Sequence, residues 1–228
     1  MKVNLKILKA WLSLLASKSI YTMKKFSFNH FILKLLAVAL LASCEAVFVP
    51  DPIDPRLPKY TEDGNDVAGA LVDGDIWKNY YKNLFFTSYY LLQIEAYQPD
   101  SLIMFFEGSI QEEPVTFEFH LKGFQIFSFN DLSNLHNKKI FLDGTIQKAL
   151  YKKWDAEMHT TSAFDNGTGQ LYVKNVAFYD SSTRATISGT FGFTVTDSLG
   201  LPVEISYGRF DYKVSDSSNF GYYEGNER

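Results

Sequence analysis

Two Glu-x-His pairs, Glu118/His120 and Glu157/His159, are the residues best spaced for chemistry. On a strand, side chains two apart point to one face, so each pair offers a carboxylate and an imidazole to one divalent metal. If the two segments were neighbours, four ligands would converge. The competing expectation is the solvated face of an amphipathic strand, as with Thr116 and Lys122 beside the first pair. Trp77, Tyr80, Tyr81 and Trp154 carry flat rings on which a sugar could stack, although aromatic residues in a β protein mostly fill the core. The chain holds 26 acidic residues, so paired carboxylates for glycoside cleavage are available. At that density some pair must fall close together by chance. Asp63-Gly64-Asn65-Asp66 and Asp73-Gly74-Asp75 resemble fragments of calcium loops. Neither has further oxygen ligands at the required offsets, and turn chemistry accounts for both. There is no GxSxG elbow, HExxH helix, phosphate-cradling glycine loop or EF-hand spacing, and no residue is assigned as catalytic. No cofactor is implied.

The only cysteine, Cys44, ends the run Leu35-Leu36-Ala37-Val38-Ala39-Leu40-Leu41-Ala42-Ser43. Lysines precede this run, small residues sit at its end and prolines follow. A secretory signal has that order: a cationic region, an apolar stretch of ~7–15 residues, then a small-residue cleavage point. The stretch is too short for a transmembrane helix, which needs ~20 apolar residues. Leu41-Ala42-Ser43-Cys44 resembles the lipobox of bacterial lipoproteins. That resemblance implies cleavage before Cys44, a diacylglycerol on its sulfur and an acyl chain on the new amino group. A start at Met23 gives a signal of ordinary length, with residues 1–22 as an upstream extension.

Composition shifts at the same point. Residues 1–43 contain seven lysines and no acid, out of 22 Lys+Arg and 26 Asp+Glu in the chain. The mature part is therefore strongly acidic. Nucleic-acid binding depends on Lys and Arg neutralising phosphates, so such a partner is not expected. An acidic surface keeps a secreted domain soluble. With no second cysteine there is no disulfide, and burial alone must hold the core together.

These features sit on a chain of four parts. Residues 1–43 read as a signal peptide, and 44–66 as a lipidated tether stiffened by Pro50, Pro52, Pro55 and Pro58. At ~3.1 Å per residue, 45–60 would reach ~50 Å. Residues 67–214 form a β domain, and 215–228 a flexible tail in which Phe220, Tyr222 and Tyr223 could pack back. Within the domain the apolar period is two. Ala185, Ile187, Gly189, Phe191, Phe193 and Val195 share one face, while Thr186, Ser188, Thr190 and Thr194 share the wetter one. Val115, Phe117, Phe119 and Leu121 alternate with Thr116, Glu118, His120 and Lys122. Leu102 to Phe106 is apolar on both faces, which suits a central strand. Asp73-Gly74 marks a tight hairpin, and Gly208-Arg209 a phase change at a bulge. Ile146 to Glu157 is the best candidate for a short helix, and Asn130 to Asn137 for an irregular connection. The fold class is all-β: an antiparallel β-sandwich or barrel-like sheet of about nine to ten strands, with at most one short helix.

Three segments carry a family resemblance. They are Gly69-Ala70-Leu71-Val72-Asp73-Gly74-Asp75-Ile76-Trp77, Ser188-Gly189-Thr190-Phe191-Gly192-Phe193 and Tyr207-Gly208-Arg209-Phe210-Asp211. In this order, behind a lipobox, they resemble a family of uncharacterised Bacteroidetes lipoproteins with a domain of unknown function. Gly192 departs from the pattern, which has a larger polar residue there. The resemblance implies an outer-membrane location, periplasmic or surface-facing, and no catalytic residues. Asp100-Ser101-Leu102 and Asp197-Ser198-Leu199 are similar to the Asp-Ser-apolar sites that such bacteria O-glycosylate, which would make Ser101 and Ser198 acceptors. Three function classes follow. The first is an envelope-anchored, non-catalytic β domain that binds a glycan or an envelope protein. The others are a barrel that carries or senses a small apolar ligand, and a hydrolase using carboxylates or the Glu/His metal site.

Overall fold

Turn chemistry and alternation build the sheet locally. Strands β1 (Val67–Val72) and β2 (Asp75–Asn79) are joined by Asp73 and Gly74, both at positive φ, 50° and 88°. Such a turn matches the twist of its flanking strands. Strands β3 (Leu92–Tyr97), β4 (Ser101–Ile110) and β5 (Glu113–Lys122) follow, with Gln111 and Glu112 turning β4 into β5 at φ 50° and 73°. After a 3-10 helix (Phe129–Leu135) come β6 (Lys138–Asp143), β7 (Lys148–Asp155), β8 (Thr160–Tyr179), β9 (Arg184–Thr196), β10 (Pro202–Ser215) and β11 (Phe220–Tyr223). This computed structural model describes residues 51–52, 54–79, 91–155, 159–179 and 182–224, all within the unit Ala46–Arg228. Cys44, Tyr80, Tyr81, Glu157 and the signal segment lie outside the described residues.

Eight strands close into an antiparallel barrel in the order β4-β2-β1-β10-β9-β8-β7-β5 and back to β4. The seam is short: Trp77, Lys78 and Asn79 of β2 pair with Ile110, Ser109 and Gly108 of β4. Gly108 is obligatory there, because a Cβ would lie 2.4 Å from both the Trp77 ring and the Lys78 carbonyl oxygen. The remaining strands extend edges that the ring leaves open. Where β2 departs, β3 takes over the edge of β4 and β11 adds to β3 in parallel. Where β7 departs, β6 takes over the edge of β8.

The barrel is filled by side chains. Trp77, Phe106, Phe117, Phe119, Phe191, Phe193, Phe210 and Tyr212 point inward and are nearly all buried. Their rings contact one another closely; the Trp77 and Phe117 centroids lie 4.6 Å apart and those of Phe106 and Phe210 5.0 Å apart. An eight-stranded barrel is just wide enough to be filled this way. The indole Nε1–H of Trp77 donates to the Val115 carbonyl at 3.1 Å, tying the seam to β5.

Several expectations are corrected. Within the expected helix over Ile146–Glu157, Lys148–Asp155 is strand β7, whose Lys, Ala and Leu content favours a helix in isolation. Pairing on both edges, with β5 and β8, overrides that preference. The helix lies instead in the stretch expected to be an irregular connection. Phe129, Leu132 and Leu135 are three apart and all buried, as a three-residue period requires. The described residues form eleven strands, because the expected flexible tail contributes β11. The bulge falls at Ser206-Tyr207, just before the expected place, with Tyr207 at φ 53°. The expected tether is docked on the barrel over its second half, and Leu57 is fully buried. That strap also covers Thr186 and Ser188, which were expected on the wetter face and are buried.

Candidate functional site

The first Glu-x-His pair sits on the outer face of β5. Glu118 is buried; its Oε2 lies 3.1 Å from His120 Nε2 and its Oε1 2.5 Å from Lys152 Nζ on β7. Burial pushes the Glu118 pKa up, but hydrogen bonds from His120 and Lys152 outweigh it and hold the carboxyl below its ordinary value. An ammonium group bonded to the carboxylate is an obstacle to a metal cation, not an invitation. His159 does not join this group. His120 pairs with Lys148 at one end of β7, and His159 lies beyond Asp155 at the other. Seven strand steps of ~3.3 Å separate those ends by roughly 23 Å. His159 is exposed beside Trp154, with ring centroids 6.5 Å apart. Among the described residues no group of three or more His, Cys, Asp or Glu side chains is placed to hold a metal ion.

The expected stacking residues separate in the same way. Trp77 is fully buried in the seam and unavailable to a sugar. Trp154 is 36% exposed and stands away from it. The most exposed aromatic rings among the described residues are not among the four expected: Phe141 on β6, 74% exposed, and Tyr207 at the bulge of β10, 64% exposed. Phe141 follows the alternation of Lys138–Asp143, where Ile140 and Leu142 point inward. Tyr207 is signalled only by the phase change.

A second buried carboxylate, Asp211, organises the strap. Its Oδ1 accepts the Gly64 N–H at 2.7 Å; its Oδ2 accepts the Thr61 hydroxyl at 2.5 Å and the N–H groups of Asn65 and Asp63 at 3.1 and 3.2 Å. Arg209, two residues earlier on the same face, is ion-paired with Asp51 and reaches the Pro58 carbonyl at 3.4 Å. Tyr60 lies under Lys174, which bonds Glu62 at 2.6 Å, and burial pushes the Tyr60 pKa up to about 12. The fragment Asp63-Gly64-Asn65-Asp66 is therefore a backbone nest around the chain's own Asp211 rather than a calcium loop. Asp73-Gly74-Asp75 is the β1–β2 turn.

The remaining candidates are quickly placed. Ser101 begins β4, half-buried and paired with Tyr97 and Lys122. Ser198 is exposed in the β9–β10 turn, where Asp197 Oδ1 accepts the N–H groups of Leu199 and Leu201, both at 2.8 Å. An open groove of about 480 Å³ lies beside the 3-10 helix, lined by Phe124, Gln125, Ser133, Asn134, His136 and Lys138. His136 Nδ1 accepts the Val176 N–H at 3.1 Å, so its proton is carried on Nε2. This lining is polar, unlike that of an apolar-ligand cavity.

The described carboxylates with depressed pKa values are held by neighbouring donors, and none is poised as an acid–base pair. No family model, curated protein or solved structure matches this chain.

Proposed function

We propose that the protein is an envelope lipoprotein of the Bacteroidetes type, anchored to the outer membrane through lipid on Cys44. Its barrel then serves as a non-catalytic module that binds a glycan or an envelope protein. The observation that carries the module reading is the state of the barrel's interior. Rings from five strands occupy it, so the working surface is the exterior. The same packing weighs against a carrier of the lipocalin kind, although the closed ring of eight strands is what such a carrier would need. The engagement of Glu118 by Lys152 and His120 weighs against a metallohydrolase.

The docked strap shortens the reach of the anchor. Asp51, held by Arg209, follows Cys44 by seven residues, a chain length of at most about 25 Å. The barrel would then ride close to the lipid surface rather than ~50 Å above it. The test is mass spectrometry of the mature protein from its native membranes. An N-terminal Cys44 carrying diacylglycerol is expected, together with loss of membrane association in Cys44→Ala. An uncleaved chain with an unmodified thiol overturns the reading.

A further inference from the structure

We infer that the outer face of β6-β8-β9-β10 is a binding trough for a neutral polysaccharide chain. This deepens the proposed binding role and rests on it. Four positions form one row across the sheet. Phe141 pairs with Gln170, Gln170 pairs with Gly192, and the Ser206-Tyr207 bulge faces Gly192 from β10. The row begins and ends on the two most exposed aromatic rings of the described residues, and a glutamine and a glycine lie between them. Three inter-strand steps put the backbones that carry the rings roughly 14 Å apart, enough to flank a few sugar units.

Gly192 is the second observation. Its φ is not in the left-handed region, and a Cβ there would meet only the Ile205 carbonyl oxygen, at 3.4 Å, an ordinary contact. Neither backbone nor packing therefore demands glycine. In a strand interior glycine is also unfavourable by roughly 0.5–1 kcal/mol relative to alanine. What the missing side chain does is leave the floor open between the rings.

The chemistry on either side selects the ligand. Thr190 and Thr194, both exposed, flank Gly192 along β9 and offer hydroxyls. The row itself carries no charge, and the rows beside it carry both signs, Lys139 and Arg209 on one side and Asp143 and Glu204 on the other, so phosphates and acidic chains gain no net attraction from this face. A pyranose presents polarised C–H bonds on its faces, which the negative face of an aromatic ring attracts. Its equatorial hydroxyls suit an amide and threonine hydroxyls. The bulge supplies the geometry at one end: an extra residue at positive φ turns the Tyr207 ring out of the sheet.

The test is affinity electrophoresis of the full chain in mild detergent, through native gels containing xylan, mixed-linkage β-glucan, mannan, starch or alginate. Retardation by at least one neutral polysaccharide is expected. Phe141→Ala and Tyr207→Ala should each weaken it by about tenfold, the effect of losing one good contact. Gly192→Gln should abolish it while leaving the melting temperature unchanged or higher, and Trp154→Ala should leave it intact. Retardation that survives all three trough variants overturns the site while the glycan-binding role stands. Retardation by alginate alone overturns the neutral ligand. No retardation by any gel overturns the glycan inference, and the Cys44 acylation result then judges the envelope reading separately.

Discussion

The two buried carboxylates of this barrel are stabilised by opposite means. Glu118 is held by side-chain donors: the Lys152 ammonium from the adjacent strand and the His120 ring from its own strand. Asp211 is held within the strap by three backbone N–H groups and one hydroxyl, from residues about 150 positions earlier in the chain. The Glu118 cluster is a local property of two paired strands. The Asp211 cluster fastens a distant segment to the barrel wall. An acid on the polar side of an alternating strand can thus be a charge partner or a chain anchor, and alternation treats the two alike.

Breaking the anchor has the largest expected effect. Asp211→Ala leaves the buried Gly64 N–H, two part-buried N–H donors and a hydroxyl without their acceptor, at a cost of about 3 kcal/mol. Urea unfolding measures that loss. The variant should also expose Arg56 and Lys59 to trypsin under conditions in which the native chain resists cleavage there. If stability falls but the strap stays resistant, Asp211 does not hold it.

The charge cluster should respond less, and in a pH-dependent way. Because the folded-state pKa of Glu118 lies below its ordinary value of 4.5, the unfolded chain takes up the proton first as pH falls. The associated stability is present above the ordinary value and fades as pH drops through the depressed one. Glu118→Gln should cost about 2 kcal/mol at neutral pH, since Lys152 remains partly solvated and limits the penalty. The gap between the two proteins should narrow progressively as pH falls below the ordinary value of 4.5. A gap that persists undiminished at pH 3 would contradict this account.

The smallest effect tests the contrast from outside it. The Tyr212 hydroxyl is buried with no hydrogen-bond partner among the described residues, and burial pushes its pKa well above the ordinary value. Unlike either carboxylate, it has found nothing to bond. Tyr212→Phe should therefore be neutral or stabilising, by up to about 1 kcal/mol. A loss of more than that in thermal unfolding would reveal a partner for the hydroxyl.

How much of this was legible beforehand differs from element to element. β9 was readable to the residue, because Arg184–Thr196 alternates over its whole length and only a strand satisfies that period. The β1–β2 hairpin was readable because Asp-Gly adopts positive φ at little cost. β7 was not, since its Lys, Ala and Leu residues suit a helix until two neighbours compete for their backbone groups. The 3-10 helix hid in a short polar stretch whose apolar residues repeat every third position. At the candidate sites, the residue types of Glu118 and His120 were visible, but Lys152 was masked by the helix assignment. Trp77 was singled out for its chemistry and proved to be core, while Phe141 and Tyr207 were passed over as ordinary strand residues.

The chain's own order of residues determined its class, its turn positions and the inward face of nearly every strand. Those depend on periods and dihedral preferences that act within a few residues. Only the tertiary structure decided that the sheet closes, that the strap lies down on it, and that Phe141, Gln170, Gly192 and Tyr207 stand in one row. Closure and register are set by pairings between segments far apart in sequence, where each partner's identity carries no record of the other's.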